Sequence, residues 1–250
     1  MDLGLDGRRA LVTGASKGIG RAIAATLVAE GATVAIASRG RDNIAVAAGS
    51  IGATGLVWDS ADVDSAGPLV AQAEEATGGP IDVLVCNTGG PPAGADPLGF
   101  TAEQWEAAHR TLVLAPMALV GAVVPGMRVR GWGRVLNVAS TSVREPIGAL
   151  MLSNAERSAA VAAWKTIARE VAGDGVTVNT VLPGTILTDR LISLSGGEDA
   201  ARASAAASVP ARRPGTVEEF AAASVFLCSE PASYITGVAL PIDGGRLHGI

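Results

Sequence analysis

The chain has 250 residues, a formal net charge of −5 and a sequence pI near 5.1; 48% of its residues are hydrophobic and only 3% are aromatic. This apolar content is enough for one sizeable core built mainly from Ala, Val, Leu and Ile. The negative charge argues against a nucleic-acid or anionic-membrane surface, because phosphate binding requires a concentrated positive field. Two cysteines and two histidines predict neither a disulfide framework nor a metal site.

The N-terminal stretch MDLGLDGRRA lacks a basic region followed by a long apolar run, so we expect no signal peptide and a cytoplasmic protein. The most apolar run, residues 111–127, is shorter than the roughly 20 residues that span a bilayer, and it contains prolines. This run predicts a helix that is buried in the core or at a subunit interface, with no membrane partner.

Short runs rich in Val, Ile or Leu alternate with longer segments of helical spacing. The predicted strands cover 9–14, 33–38, 81–87, 133–140, 176–183 and 237–243. The predicted helices cover 18–30, 64–77, 102–130, 153–173 and 217–229. This alternation is typical of a parallel sheet with helices on both faces. Residues 188–215 have no strand pattern and predict either a mobile lid on the substrate side or a loop with a short helix.

The stretch LVTGASKGIG, residues 11–20, predicts a phosphate-binding turn. A predicted strand leads into Gly14, Gly18 and Gly20, and a predicted helix follows at once. Small residues allow the backbone to approach a pyrophosphate held at the helix N-terminus. A glycine-rich turn alone is weak support, but three glycines between a strand and a helix indicate a dinucleotide site.

The spacing TGxxxGxG resembles that of the short-chain dehydrogenase/reductase family, and the resemblance extends over nearly the whole chain. Further matching stretches are CNTGG at 86–90, RVLNVAS at 134–140, VNTVLPGTILTD at 178–189 and YITGVALPIDGG at 234–245. The resemblance implies one Rossmann-like, doubly wound α/β domain over 1–250 that binds a nicotinamide dinucleotide. The cofactor-binding residues that we expect are Gly14, Ser16, Lys17, Gly18, Ile19, Gly20, Ser38, Arg39, Asp59, Asn87, Gly89, Pro183, Gly184, Ile186 and Thr188.

The resemblance also implies where these residues meet the cofactor. Asp59 would contact the adenine, and Asn87 and Gly89 would line the ribose. The Ile186 backbone and Thr188 would hold the nicotinamide amide. The alternative for Asn87 is that its side chain only pins neighbouring loops.

The end of the second predicted strand, AIASRGR at 35–41, bears on the choice of nicotinamide cofactor. NAD sites usually place a carboxylate there to accept hydrogen bonds from the ribose, whereas NADP needs cations for the 2′-phosphate. Here Ser38 is neutral, and Arg39 and Lys17 lie close by in the sequence. The pattern therefore predicts NADP(H) rather than NAD(H). The alternative is that both cations are ordinary solvated surface charges.

The catalytic positions depart from the family pattern. In that family a serine orients the substrate carbonyl, a tyrosine thirteen residues later transfers the proton, and a lysine four residues beyond assists the tyrosine. Here Ser140 is kept, but the register places Ser153 and Arg157 at the other two positions. The single tyrosine, Tyr234, lies in the C-terminal YITG stretch, and Leu112 stands where the family has a further asparagine.

These replacements change what the site can do. A serine hydroxyl is a far weaker acid than a phenol with a pKa of about 10, and arginine stays protonated at neutral pH. Ser140, Ser153 and Arg157 are therefore predicted to form the catalytic site by donating hydrogen bonds to a developing alkoxide.

Another group would then have to supply the proton. The sequence offers Arg144, Glu145, Glu156 and His109, and a fifth option is the substrate or a water molecule. His109 lies one helical turn before Leu112, and its ordinary pKa suits proton transfer. The alternative for the charged residues is plain solvent exposure, and for the histidine a structural hydrogen bond.

Three functions remain open. The first is NADP(H)-dependent hydride transfer to or from a small-molecule carbonyl or alcohol, similar to the 3-oxoacyl and other ketoreductases of the family. The second is a catalytically silent NADP(H)-binding protein that acts as a sensor or assembly partner. The third is a dehydratase or isomerase that uses the same cleft.

The surroundings of the site predict a pocket and an assembly. Pro91 and Pro92 predict a rigid wall of the cleft. Apolar lining is expected from Met151, Leu152 and Leu191. The predicted helices 102–130 and 153–173 are more apolar than one core-facing stripe requires, and the family resemblance implies a homotetramer or homodimer assembled through them.

Overall fold

Seven β-strands form the centre of the molecule, and the computed structural model describes them within residues 1–249. In chain order the strands are β1 (Arg9–Thr13), β2 (Thr33–Ser38), β3 (Thr54–Val57), β4 (Val83–Cys86), β5 (Gly133–Val138), β6 (Val176–Pro183) and β7 (Ala239–Ile242). They pair in parallel in the order β3-β2-β1-β4-β5-β6-β7. The predicted parallel sheet is therefore confirmed.

Nine α-helices are found in the part of the chain that the structure describes. They are α1 (Gly18–Ala29), α2 (Arg41–Ile51), α3 (Ala66–Thr77), α4 (Ala102–His109), α5 (Ala115–Arg130), α6 (Met151–Val171), α7 (Asp189–Ser195), α8 (Glu198–Ser208) and α9 (Val217–Leu227). The five predicted helices are all present. The sequence prediction did not delimit α2 or β3, because α2 buries only a narrow stripe and β3 is a short edge strand that is mostly exposed.

The helices cover both faces of the sheet. On one face, α1, α2 and α9 bury residues such as Ile23, Ile44 and Phe220 against the strands. On the other face, α3, α5 and α6 bury residues such as Leu119 and Trp164. The fold is the predicted Rossmann-like doubly wound α/β domain. Its strand order reverses between β1 and β4, and such a switch point opens a crevice at the carboxyl ends of the strands.

The predicted helix 102–130 consists of α4 and α5 joined by one π-helical turn, Arg110–Leu114. Its 29 residues make it, within residues 1–249, the one helix long and apolar enough to cross a membrane by length and composition. The apolar run within it, residues 111–127, is by itself too short to span a bilayer. Leu119, Val123 and Met127 pack into the core, and core helices pass the same test, so the finding is weak support for a membrane span.

Residues 188–215 contain two short helices, α7 and α8, rather than one. The Thr188 side chain caps α7 by accepting a hydrogen bond from the Leu191 N–H at 3.3 Å. Since α7 begins where β6 has just ended, this segment lies beside the crevice; its role as a lid stays a prediction. Cys86 and Cys228 are free and buried, and burial raises the pKa of the Cys228 thiol to about 12.

Candidate active site

A cleft of about 820 Å³ opens at the carboxyl ends of β1, β2, β4, β5 and β6. It brings together most of the residues that the sequence analysis selected. These are Gly14, Ser16, Lys17, Gly18, Ile19, Ser38, Arg39, Asn87, Gly89, Ser140, Ser153, Arg157, Pro183, Gly184, Ile186 and Thr188. Residues that are up to 174 positions apart in the chain therefore share one concave surface, as expected for a switch-point site.

Two of the selected residues do not line the cleft. Gly20 lies behind it, where a Cβ atom would come within 2.5 Å of the Gly14 carbonyl oxygen. Its lack of a side chain thus allows α1 to pack closely on the loop. Asp59 is exposed and accepts a hydrogen bond from the Ala61 N–H, while its neighbour Trp58 lines the cleft instead. The adenine contact of Asp59 stays a prediction.

The glycine-rich loop between β1 and α1 is held from β4. Gly14 has a φ of +59°, and a Cβ there would overlap the carbonyl oxygen of Asn87. The Asn87 amide donates to the Gly14 carbonyl at 2.9 Å, and Thr13 Oγ1 donates to the Asn87 carbonyl at 3.0 Å. Asn87 therefore pins the loop as well as lining the cleft.

The N-terminus of α1 has no side-chain cap, although Lys17 occupies the capping position. Thr101, Thr188 and Thr216 cap α4, α7 and α9, whereas the other α-helices that the structure describes, like α1, have no side-chain cap. The first N–H groups of a helix need acceptors, and they carry a partial positive charge. An uncapped helix start beside the cleft fits the pyrophosphate of a dinucleotide.

The end of the cleft beside β2 is lined by Ser38 and Arg39. The Ser38 hydroxyl oxygen is buried and has no hydrogen-bond partner within residues 1–249. Arg39 is exposed, and the Nζ atom of Lys17 lies 4.0 Å from a carboxylate oxygen of Asp189. An unpartnered hydroxyl next to Arg39, in a cleft that Lys17 also lines, fits a phosphate ester, because such a group accepts hydrogen bonds from hydroxyl and cationic donors.

The opposite end of the cleft contains Ser153 and Arg157, which α6 places one turn apart. Both are buried, with 7% and 9% of their surface exposed. Arg157 Nε donates to Ser153 Oγ at 3.1 Å, and Arg157 Nη1 donates to the Val138 carbonyl at 2.8 Å. Burial lowers the pKa of Arg157 to about 10, and the neighbouring Arg190 cation makes a smaller contribution in the same direction.

Of the serines that line the cleft, Ser140 and Ser153 have hydroxyls arranged as donors. Ser140 Oγ accepts a hydrogen bond from the Ser142 N–H at 3.1 Å, and Ser153 Oγ accepts from Arg157. Each oxygen thus already acts as an acceptor, so each hydroxyl hydrogen is free to point at a ligand. A carbonyl oxygen bound between them would receive two hydrogen bonds beside one cation.

Comparison with known proteins places this geometry in a family. A family profile described as enoyl-(acyl carrier protein) reductase matches residues 14–246. The 3-oxoacyl-(acyl-carrier-protein) reductase FabG of Salmonella typhimurium is 39% identical over 253 residues, covering 97% of this chain and 98% of the relative. The chain belongs to the short-chain dehydrogenase/reductase family. The predicted resemblance is confirmed.

Two solved structures resemble this chain in three dimensions. The L-sorbose reductase of Gluconobacter frateurii, complexed with NADPH and L-sorbose, is 33% identical with a TM-score of 0.92, and each chain is covered in full. YwfH, an NADPH-dependent reductase involved in bacilysin biosynthesis, is 30% identical with a TM-score of 0.90, covering 97% of this chain and 99% of its own. The predicted cofactor, NADP(H), agrees with what these neighbours bind or use.

This member of the short-chain dehydrogenase/reductase family has no tyrosine in its cleft. Tyr234, the single tyrosine, is fully exposed and does not line it. Leu112, which stands at the place of a family asparagine, is buried within the π-helical turn. Leu112 therefore places an apolar side chain in this irregular turn.

The four residues proposed as substitute proton donors do not line the cleft either. His109 Nδ1 lies 2.8 Å from a carboxylate oxygen of Glu156, so these two are paired with each other. Glu145 accepts a hydrogen bond from the His248 N–H at 2.6 Å. Arg144 lines a separate pocket of about 250 Å³. The cleft geometry thus favours the remaining option, a proton from the substrate or a water molecule.

Sequence reasoning also missed several lining residues. They are Ala37, Gly40, Asn43, Trp58, Ser60, Thr88, Gly90, Val138, Ala139, Leu150, Asp189, Arg190 and Leu194. Thr88 and Asp189 could have been predicted, because each is adjacent in sequence to a selected residue. Of the predicted pocket residues, Pro91 and Leu191 line the cleft, whereas Pro92, Met151 and Leu152 do not. Leu152 is fully buried because α6 turns it into the protein interior.

Proposed function

We propose that this protein is an NADP(H)-dependent oxidoreductase that transfers hydride to the carbonyl carbon of a small molecule or from the corresponding alcohol. The observation that carries the proposal is the hydrogen bond from Arg157 to Ser153 in the cleft that also contains the phosphate loop. It gives the altered site a hydroxyl donor held by a cation, in the position where the family has its tyrosine and lysine.

The mechanism follows from the donors that face the cleft. Ser140 and Ser153 hold the carbonyl oxygen through their free hydroxyl hydrogens, and this fixes the carbonyl carbon for attack. The reduced cofactor supplies the hydride when bound. Arg157 stabilises the negative charge that develops on the oxygen, because a fixed cation in a buried site needs no reorganisation during the reaction.

The proton for the oxygen comes from water in this proposal. Asp189 is the one carboxylic acid that lines the cleft, and its carboxylate oxygen lies 4.0 Å from the Nζ atom of Lys17. Ser153 passes its hydroxyl proton to the alkoxide and regains one from water, and the hydroxide left behind is protonated by the solvent. Arg157 keeps its own proton throughout, since even its lowered pKa of about 10 leaves it charged near neutral pH.

NADP(H), rather than NAD(H), is the proposed cofactor. The uncapped start of α1, the unpartnered Ser38 hydroxyl and the Arg39 and Lys17 cations support this choice. In Arg39→Asp, the introduced carboxylate should repel the 2′-phosphate and accept hydrogen bonds from the ribose hydroxyls instead. We expect the ratio of NADPH to NADH affinity to fall about 100-fold. Fluorescence titration with both cofactors measures it, and an unchanged ratio contradicts the assignment.

A catalytically silent NADP(H)-binding protein is the second candidate. It is favoured by the absence of His, Cys and Tyr from the lining of the cleft. In that case Arg157 would hold only the loop carbonyls and the cofactor. Binding of NADPH would then occur without turnover, and the cofactor would act as a structural or sensory ligand.

One titration distinguishes the two functions. NADPH is first titrated by fluorescence, and ketones, quinones and 3-oxoacyl thioesters are then added while its absorbance is followed. Oxidation with any carbonyl supports the reductase. Tight binding with no turnover would support the silent protein, provided that the double variant Ser153→Tyr with Arg157→Lys gains ketone reduction and thereby shows an intact scaffold.

We also propose that the chain acts as a homodimer or homotetramer in the cytoplasm. The outer faces of α5 and α6 support the assembly, because Gly121, Ala122, Ala159 and Ala162 are exposed there and form small, flat surfaces. Sedimentation of the purified protein tests this proposal, and a monomer at all concentrations contradicts it.

A further inference from the structure

Two guanidinium groups meet on one loop of the cleft. Arg157 Nη2 donates to the Thr88 carbonyl at 3.4 Å, and Arg190 Nη1 donates to the Gly90 carbonyl at 3.4 Å. These carbonyls are two residues apart in the loop after β4, and both arginines line the cleft. Helix α6 supplies one cation and α7 the other, so the pair depends on two separate elements.

Neither guanidinium has a carboxylate within 4.0 Å in the part of the chain that the structure describes. Asp189, the one acid lining the cleft, lies beside Lys17. Glu156 precedes Arg157 in α6 but binds His109 instead. Among the described residues Arg157 is therefore a buried cation without an acidic partner, and Arg190 is an exposed cation close enough to lower the pKa of Arg157.

The two groups also have donors to spare. A guanidinium group carries five N–H donors. Arg157 uses three of them, on Ser153, Val138 and Thr88. A buried cation without a counter-ion is costly, and burying one side of a like-charge pair adds to that cost. An anion between the two arginines would remove the repulsion and satisfy the remaining donors.

We propose that Arg157 and Arg190 form a carboxylate subsite for the substrate, so that the favoured substrates are small oxo acids rather than neutral ketones or thioesters. This inference rests on the proposed function, which places the reacting carbonyl beside Ser140 and Ser153. Arginine suits the role because its planar N–H groups match the two oxygens of a carboxylate. The replacement of the family lysine by arginine then serves substrate selection as well as charge stabilisation.

The subsite also connects substrate to the segment 188–215. Arg190 lies in α7, whose residues Leu191 and Leu194 line the same cleft. A carboxylate bound by Arg190 and Arg157 would hold α7 against the core of the domain. The apolar part of an oxo acid would then pack on the two leucines.

The test compares each acid with its own methyl ester. The probes are 2-oxobutanoate, 3-oxobutanoate and 4-oxopentanoate, which vary the spacing between carbonyl and carboxylate. Binding to the NADP⁺-loaded protein is measured by calorimetry, and NADPH oxidation is measured separately. We expect at least one acid to bind about 10-fold more tightly than its ester, and Arg190→Gln to reduce that ratio to about 2-fold.

Three controls accompany the measurement. Arg169→Gln removes an exposed arginine of α6 that does not line the cleft and should leave the acid-to-ester ratio unchanged. NADPH affinity of Arg190→Gln, measured by fluorescence, should stay within about 2-fold of the original, which separates substrate binding from cofactor binding. Inorganic phosphate should bind more weakly than the acid, and tighter phosphate binding would contradict the carboxylate assignment.

The outcomes separate this inference from the proposed function. Equal affinity for acid and ester at all three spacings, or no acid binding below about 1 mM, overturns the carboxylate subsite. An acid-to-ester affinity ratio that is unchanged in Arg190→Gln overturns the carboxylate subsite as well. Acid-selective binding without NADPH oxidation supports the subsite and refutes the reductase. Oxidation with the esters as fast as with the acids supports the reductase and refutes the subsite.

Discussion

Two buried arginines at opposite ends of the sheet differ in their surroundings. Arg134, at the amino end of β5, is 1% exposed and donates to the carbonyls of Ser229, Gly133 and Gly175. Its Nη2 also lies 3.4 Å from a Glu230 carboxylate oxygen. Arg157, at the carboxyl ends of the strands, has carbonyl and hydroxyl partners but no carboxylate partner within residues 1–249.

The comparison separates stability from function. The carboxylate of Glu230 compensates the charge of Arg134, and the Trp132 ring lies 4.4 Å from the Arg134 guanidinium carbon. The hydrogen bonds and the charge of Arg134 thus all have partners within the protein. Arg157 lines the cleft, donates only three of its hydrogen bonds to the fold and has no carboxylate partner in the described part of the chain, so we assign its cost to function.

Removing the cation of the cleft should have the largest effect. Arg157→Met keeps the volume of the side chain but removes the charge that stabilises the developing alkoxide. We expect kcat to fall about 1,000-fold, which is typical of losing one strong oxyanion-stabilising donor. Steady-state NADPH oxidation measures this. The free energy of unfolding should not fall by more than about 1 kcal/mol. The variant loses the hydrogen bonds of Arg157, but it also loses the cost of burying an uncompensated charge.

Removing the compensated arginine should have the opposite result. Arg134→Met leaves the carbonyls of Ser229 and Gly175 without their donor and separates Glu230 from its partner. We expect the free energy of unfolding to fall by about 3 kcal/mol, a value at the lower end for buried pairs because Glu230 is half exposed. Urea denaturation measures it. A fall in kcat at full folding, comparable to that of Arg157→Met, would remove the distinction between the two arginines.

The sequence predicts the phosphate loop but not the position of Arg190, and the reason is physical. The phosphate loop was predicted because Gly14 and Gly18 lie within a few residues of each other and their spacing reflects a local turn. Arg190 was missed because its partner, Gly90, is 100 residues away and the segment around it has no periodic pattern. Neighbours in sequence can also diverge in space. Glu156 precedes Arg157, yet consecutive helical residues point about 100° apart, so it faces His109.

The fold was predicted more completely than the site. Buried strands such as β4 and β5 are continuous apolar runs, and the sequence displays them directly. The edge strand β3, TGLV, is mostly exposed and has no such signal. Side-chain direction at the site depends on contacts between distant elements, which no local pattern contains.

Removing the hydroxyl that Arg157 holds should have a smaller effect than removing Arg157 itself. Ser153→Ala takes away one of two hydrogen bonds to the carbonyl oxygen together with the proton relay, but leaves Ser140, the cation and direct protonation by water. We expect kcat to fall about 30-fold, a loss of about 2 kcal/mol of transition-state stabilisation. Stopped-flow NADPH oxidation measures it, and NADPH affinity should be unchanged. An unaltered kcat would show that Ser153 only positions Arg157.

The smallest effect should appear at high pH, where Arg157 loses its charge without being replaced. The pKa of Arg157 is lowered to about 10 by burial, so its charge, and with it kcat, should fall as the pH rises through that value. At one pH unit above the pKa the loss should be about 10-fold. The unfolded chain keeps this proton to higher pH, so the cost of the buried charge is relieved as the pH rises above about 10. Stability relative to Arg157→Met should therefore increase between pH 9 and pH 11. Rate and urea profiles that are flat over this range, equal to those of Arg157→Met, would contradict a charged Arg157 in catalysis.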